Sequence, residues 1–244
     1  MSPETKFHSL VLGLIVPLMF GVVAYLIPFI QRATWLEVIG GAIAAFFASA
    51  GAYKLVAAGL VWLLRQSRWL KSKLLGSYYM EGTWVGYFIG RGGHVRYVIE
   101  TFEQDLSSLI IRGASYSTDH QRHGQWVSEA SFVDAHRGRL IYTYTCDILS
   151  RGVALQGVGT FQFERESERA APYRIEGYVA DLVDGRRLPV VEEKISSRVL
   201  PFADALLKAK GVVEKMPKLV AEGTEIQQTS TRVALPESER QRLT

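Results

Sequence analysis

The sequence predicts a membrane-anchored all-β protein: two N-terminal transmembrane helices followed by an eight-stranded antiparallel up-and-down β-barrel. Three observations lead there. Ser9 to Ile30 holds no charged residue, and Val38 to Leu64 holds only Lys54; roughly 20 apolar residues are enough to cross the hydrocarbon core as a helix. From Tyr78 onward the apolar period shortens to two. Turn residues then recur about every ten positions, as they do in all-β chains. Composition closes off other classes. With 48% hydrophobic and 11% aromatic residues the chain is too apolar to be disordered. Cys146 is the only cysteine, which excludes an internal disulfide and an all-cysteine zinc site. A net charge of +4 is too small to argue for a DNA or RNA polymer as partner.

Residues 1–65 read as a helical hairpin. Pro17 and Pro28 fall inside the first run, which a membrane helix tolerates better than a soluble one. Gln31 to Glu37 is too short for anything but the turn between two helices. Lys6 precedes the first helix, and Arg65, Arg68, Lys71 and Lys73 follow the second, while Arg32 and Glu37 cancel in the turn. The positive-inside rule therefore puts both termini in the cytoplasm. Lys54 then lies near the cytoplasmic face, where its side chain can snorkel, and Leu55 to Trp69 runs along or just beneath the membrane surface. Gly40, Ala44, Ala48 and Ala52 form a small-residue face suited to close helix packing, within the hairpin or between copies. Residues 66–77 read as a basic juxtamembrane linker.

Residues 78–198 break into eight strands: 78–89, 93–103, 107–117, 125–135, 139–148, 152–164, 172–183 and 187–198. The separators include Gly90-Arg91-Gly92, His136-Arg137-Gly138 and Asp184-Gly185, the last a hairpin signal. No crossover helix interrupts the series, so closure into a barrel, which removes exposed edges, is the simplest arrangement. A sandwich is the alternative. Alternation assigns the inward faces: Gly82, Trp84, Gly86 and Phe88; Val95, Tyr97, Ile99 and Thr101, with Arg96 and Glu100 outward; Trp126, Ser128, Ala130 and Phe132; and Val153, Leu155, Gly157, Gly159, Phe161 and Phe163. The inward glycines, which include Gly113 and Gly177, either leave a cavity or relieve crowding at barrel corners. Residues 199–221 contain an amphipathic helix, with Phe202, Ala205, Leu206, Ala209, Val213 and Met216 as its apolar stripe and Pro217 ending it. It can close the barrel mouth, lie on the membrane or meet a neighbour. Residues 222–244 read as a flexible tail.

Catalytic signatures are missing. There is no nucleophile elbow and no Walker loop. His120 and His123 lie beside Asp119 without a third ligand at a recognisable spacing, so they read as a solvated loop and not as a metal site. Gly157-x-Gly159 lies within a strand and opens no helix, Cys146 reads as a buried thiol, and Glu192-Glu193 reads as surface alternation. The chain is expected to be a sensor or effector, not an enzyme, with no metal or cofactor. Candidate ligand-binding residues are the polar-tipped inward groups Tyr97, Ser115, Trp126, Tyr142, Tyr144 and Asp181, with Arg112 or Arg96 as the cation for an anionic ligand. Tyr and Trp offer faces on which bases stack.

Two N-terminal membrane helices, a basic juxtamembrane stretch, Gly82-Thr83-Trp84 and the Leu140-Ile141-Tyr142-Thr143-Tyr144 pattern of the meander occur together here. Through them, residues 8 to 198 resemble the two-transmembrane, β-strand-rich effectors of bacterial cyclic-oligonucleotide antiphage signalling (CBASS), which carry a minimal β-barrel. Gly-x-Trp is also similar to the lipocalin pattern, in which the Trp plugs one barrel end. The CBASS resemblance implies a cytoplasmic barrel that binds a cyclic dinucleotide made by a partner nucleotidyltransferase. It implies homo-oligomerisation, disruption of the bacterial inner membrane and abortive infection. In some related systems a constitutively made cyclic nucleotide holds the effector off, so the resemblance leaves the sign of the switch open. Two other readings stand beside it: a membrane-tethered, lipocalin-like binder of an apolar ligand, and a packed scaffold without a ligand.

Overall fold

A computed structural model describes residues 3–31, 34–90, 93–148, 152–183 and 185–215. The expected tail, Met216 and Pro217 lie outside these residues, as do parts of the expected turns at 90–92, 150–151 and 184–185. The chain divides into two units, one helical and one built on a sheet.

The helical unit comprises residues up to Tyr79 together with 104–108 and 169–171. Helix α1 is Pro3–Ile30 and α2 is Trp35–Gln66. Both are long and apolar enough to cross a membrane. Leu14, Phe20, Phe46 and Phe47 on them are exposed, unlike the side chains of a soluble core helix. Thr34 starts α2, and the Glu37 carboxylate accepts from its backbone N–H and its hydroxyl at 2.7 Å each, holding the first turn. Phe7, Val11, Ile15 and Leu64 are buried together, with Val56, Leu60, Leu70, Leu74 and Leu106 packed around them. Two expectations change here. Helix α2 runs unbroken to Gln66, so no break at Leu55 separates the following residues from the helix before them. The stretch read as a linker is mostly helix α3, Arg68–Leu75, followed by a 3-10 turn at Gly76–Tyr78. The Ser67 side chain caps α3 by accepting from Leu70 N–H at 3.3 Å. The Lys71 ammonium, 8% exposed, donates to the Gln104 carbonyl at 2.9 Å.

In the second unit a closed antiparallel barrel runs through eight consecutive strands in sequence order. They are β1 Gly82–Ile89, β2 Val95–Gln104, β3 Leu109–Tyr116, β4 Arg122–Asp134, β5 Arg139–Ile148, β6 Val153–Glu164, β7 Arg174–Asp181 and β8 Arg187–Ser196. Closure follows from the pairing of β1 with both β2 and β8. One barrel end is filled. Trp84 is fully buried there, stacks on Phe102 at 5.1 Å and donates its indole N–H to the Met80 carbonyl at 2.8 Å. Leu140, Phe161 and Ile175 are also fully buried. Strand β1 begins four residues later than expected because Gly76–Tyr78 turns and Met80 is needed to receive the indole.

Helix α4, Phe202–Lys215, lies against the outer wall of the barrel and does not close its mouth. Ala205, Ala209 and Val212 are buried with Val85 of β1, and Tyr97, Ile99 and Ile195 pack around them. Thr83 holds the connection into this helix: its hydroxyl donates to the Arg198 carbonyl at 2.6 Å and accepts from Leu200 N–H at 3.0 Å. This helix overturns the expected faces of β2. Tyr97 and Ile99 are apolar because α4 covers them from outside, and Arg96, Val98, Glu100 and Phe102 point inward instead. The second half of β4 is also inverted. A register shift between Ser128 and Ala130 bulges the strand, so Trp126 and Ser128 face inward as expected while Ala130 and Phe132 face out, Phe132 at 61% exposure. The expected faces of β1 and β6 stand, with Leu155, Phe161 and Phe163 turned inward.

Candidate functional site: a polar cavity in the barrel

The unfilled end of the barrel holds a cavity of about 220 Å³. Its walls come from every strand. Phe88 and Arg96 are paired across β1 and β2 near the mouth, where His123 and Gly124 of β4 also stand. Trp126, Tyr142 and Tyr144 form an aromatic wall, Ser115 and Asp181 add polar groups, and Glu100 and Glu192 lie deepest. Five of the seven site candidates are thus brought together: Ser115, Trp126, Tyr142, Tyr144 and Asp181. Two are not. Tyr97 packs outside against α4, and Arg112 is exposed on the outer wall, paired with Glu103 at 3.1 Å. Arg96, the other cation considered, is the one that lines the cavity.

The inward glycines settle the choice left open by alternation. A Cβ at Gly113 would stand 2.2 Å from a ring carbon of Trp126, and one at Gly157 2.4 Å from the Tyr144 ring. These glycines let aromatic rings lie flat across the neighbouring strand, which relieves crowding. The cavity is the space left above those rings.

Sequence reasoning missed the two carboxyls. Glu192, expected at the surface, is 1% exposed, as is Glu100. Their strands are not neighbours, since β1 lies between them. A Cβ at Gly86 would collide with the Val191 carbonyl and stand 2.8 Å from Glu192 Cγ, so glycine there admits both the β8 backbone and the Glu192 chain beside β1. Glu100 Oε1 accepts from Trp126 Nε1–H at 2.6 Å and from the Tyr142 hydroxyl at 3.2 Å. Burial pushes the Glu100 carboxyl above the usual range, while hydrogen bonds from Glu192, Trp126 and Tyr142 hold it back. Burial, and then the charge of Glu100, pushes Glu192 well above its ordinary value. Glu192 lacks the indole and phenol donors that favour an ionised Glu100. Both carboxyls are therefore held toward the protonated form, Glu192 the more strongly. Burial and the nearby carboxylates keep the Tyr142 and Tyr144 hydroxyls protonated far into alkali. Burial and Asp181 push the Cys146 thiol up to about 11, which leaves it unreactive at neutral pH.

The only sequence signal for Glu100 was its place in β2, and the apolar outer face under α4 masked it. Glu192 was hidden in a Glu-Glu pair, of which one member must point inward and either can. Among the described residues, no three His, Cys, Asp or Glu side chains stand together as metal ligands would. The arrangement offers aromatic faces for stacking, a cation at the mouth and hydrogen-bond acceptors at depth. No protein-family model, curated protein or solved structure matches the chain, so its function rests on this geometry.

Proposed function

We propose that the chain is a membrane-anchored receptor and effector, not an enzyme. Its barrel takes a cyclic oligonucleotide, most simply a cyclic dinucleotide, and occupancy governs assembly of the hairpins and integrity of the bacterial inner membrane, as in CBASS antiphage defence. The observation that carries this reading is the order of groups along the cavity. Arg96 and His123 stand at its mouth, Trp126, Tyr142 and Tyr144 in its wall, and Glu100 and Glu192 at its floor. A cyclic dinucleotide presents phosphodiesters, flat π-faces and base edges, and these groups are complementary to all three. A receptor for an apolar ligand has no need of two carboxyls at depth, since unpaired buried polar groups cost free energy. The excess of Lys and Arg flanking the hairpin supports a topology with both termini in the cytoplasm, where such a nucleotide is made.

The test uses the full chain in lipid nanodiscs, melted against a panel of cyclic di- and trinucleotides. A specific nucleotide at 100 times its dissociation constant adds about 2.7 kcal/mol, which is read as a higher Tm. A stabilising nucleotide that also changes the size of the cross-linked assembly supports the receptor–effector reading. Lipid or another apolar molecule extracted with the barrel, with no nucleotide response, overturns it.

A further inference from the structure

The floor of the cavity is made of acceptors. Glu100 Oε2 and Glu192 Oε2 are both buried and find no hydrogen-bond donor within the chain. Glu100 Oε1 already holds the Trp126 and Tyr142 donors. Both residues line the cavity, and each keeps one carboxyl oxygen without a donor. Two carboxyls held across Gly86 on β8 and β2 are therefore the complement of a flat group with two N–H donors on one edge. Among nucleobases only guanine has that N–C–N edge, a ring N–H beside an exocyclic amine. Adenine sets an acceptor beside its amine, and uracil sets a single N–H between two carbonyls. At about 220 Å³ the cavity falls short of the 300–1,000 Å³ usual for whole ligands. It has room for one base, whose plane can stack on Trp126 and the two tyrosines, while the phosphodiester ring stays at the mouth beside Arg96 and His123.

We propose that Glu100 and Glu192 form a subsite for a planar N–C–N donor edge, that of guanine in a cyclic dinucleotide. The nucleotide identity rests on the receptor reading above; the donor edge rests on the carboxyl pair alone. The subsite is tested by calorimetry on the full chain in nanodiscs, with cyclic dinucleotides carrying two, one or no guanines, the hypoxanthine analogue lacking the 2-amine, and methylguanidinium. The guanine nucleotides bind, and removing the 2-amine weakens binding roughly tenfold or more. Glu192→Gln keeps binding within a few-fold, because its amide donates to Glu100 and still offers a carbonyl, whereas Glu192→Leu abolishes it. The wild-type ligand series does not depend on either variant folding. Equal or tighter binding of a guanine-free nucleotide, with the 2-amine making no difference, overturns the subsite and leaves the receptor standing. Binding of methylguanidinium without any nucleotide keeps the subsite and overturns the nucleotide. No binding by any of these probes overturns both.

Discussion

Gly86 contributes by what it lacks. Its missing side chain leaves room for the Glu192 chain beside the β8 backbone, and the burial of that carboxyl gives the protein's stability a sign with pH. Because Glu192 is raised above its unfolded value, the native state holds a proton that the unfolded chain has lost once the pH exceeds roughly 4.3. Stability is full below that pH and falls as pH rises through the raised folded value. Lys194 acts in the opposite sense. It pairs with Trp84 across β1 and β8, with its ammonium 5.8 Å from the indole, and burial lowers it from 10.5 to about 8. Between those two values the native state has released a proton that the unfolded chain keeps, so stability rises there, by a term of order 3 kcal/mol. Denaturant midpoints followed from pH 5 to 10 should show both slopes. Glu192→Gln should flatten the first and Lys194→Met the second, each leaving the other in place. At Gly157 the added methyl of Gly157→Ala meets the Tyr144 ring. It should cost about 1–3 kcal/mol of stability in urea titration, and, on the receptor reading proposed above, it should also weaken nucleotide binding by displacing that wall.

Helix α4 and the bulge in β4 decide how much of the barrel alternation reveals. The strand count was legible, because period-two segments and turn residues such as His136-Arg137-Gly138 depend on local backbone chemistry. The face of β6 was legible because Gln156, Gln162 and Glu164 stand exposed opposite its apolar set. In β2 a helix more than a hundred residues away covers Tyr97 and Ile99, so apolar side chains occupy both faces and the phase cannot be read from the strand itself. In β4 one extra residue resets the phase at Glu129, which is why Trp126 was placed correctly and Phe132 was not. The site followed the same pattern. Its aromatic wall was legible, and Arg96 and Glu100 were lost with the phase of β2. The role of α4 has a direct test. Ala209 is fully buried beside Ala205, Val212 and Val85, so Ala209→Glu places an unpaired charge against the outer wall. It should cost about 3–5 kcal/mol and should raise dye binding by the Tyr97–Ile99 surface. A change below 1 kcal/mol in chemical denaturation would mean that α4 is only loosely attached.

Two units with different solvents share this chain: a hairpin whose exposed leucines and phenylalanines suit lipid, and a barrel whose polar cavity suits an aqueous ligand. A nucleotide in the barrel can govern the hairpin only if it binds one state of assembly more tightly than the other. That requirement is reciprocal, because whatever factor the ligand applies to assembly, assembly must apply to the ligand. The small-residue face at Gly40, Ala44 and Ala48 is where this can be examined without touching the barrel. Ala44→Leu adds bulk to a face on which close helix approach depends, and it lies outside the cavity. If assembly and occupancy are coupled, this variant should assemble less in nanodiscs. Its nucleotide affinity should shift toward that of the unassembled chain, by at most the coupling factor, typically 5- to 150-fold for coupled sites. The direction of that shift reads the sign of the switch: weaker binding means that the nucleotide drives assembly, and tighter binding means that it holds the hairpins apart. Unchanged affinity alongside impaired assembly would separate the two units energetically, and the barrel would then be a receptor whose output leaves by some route other than its own membrane helices.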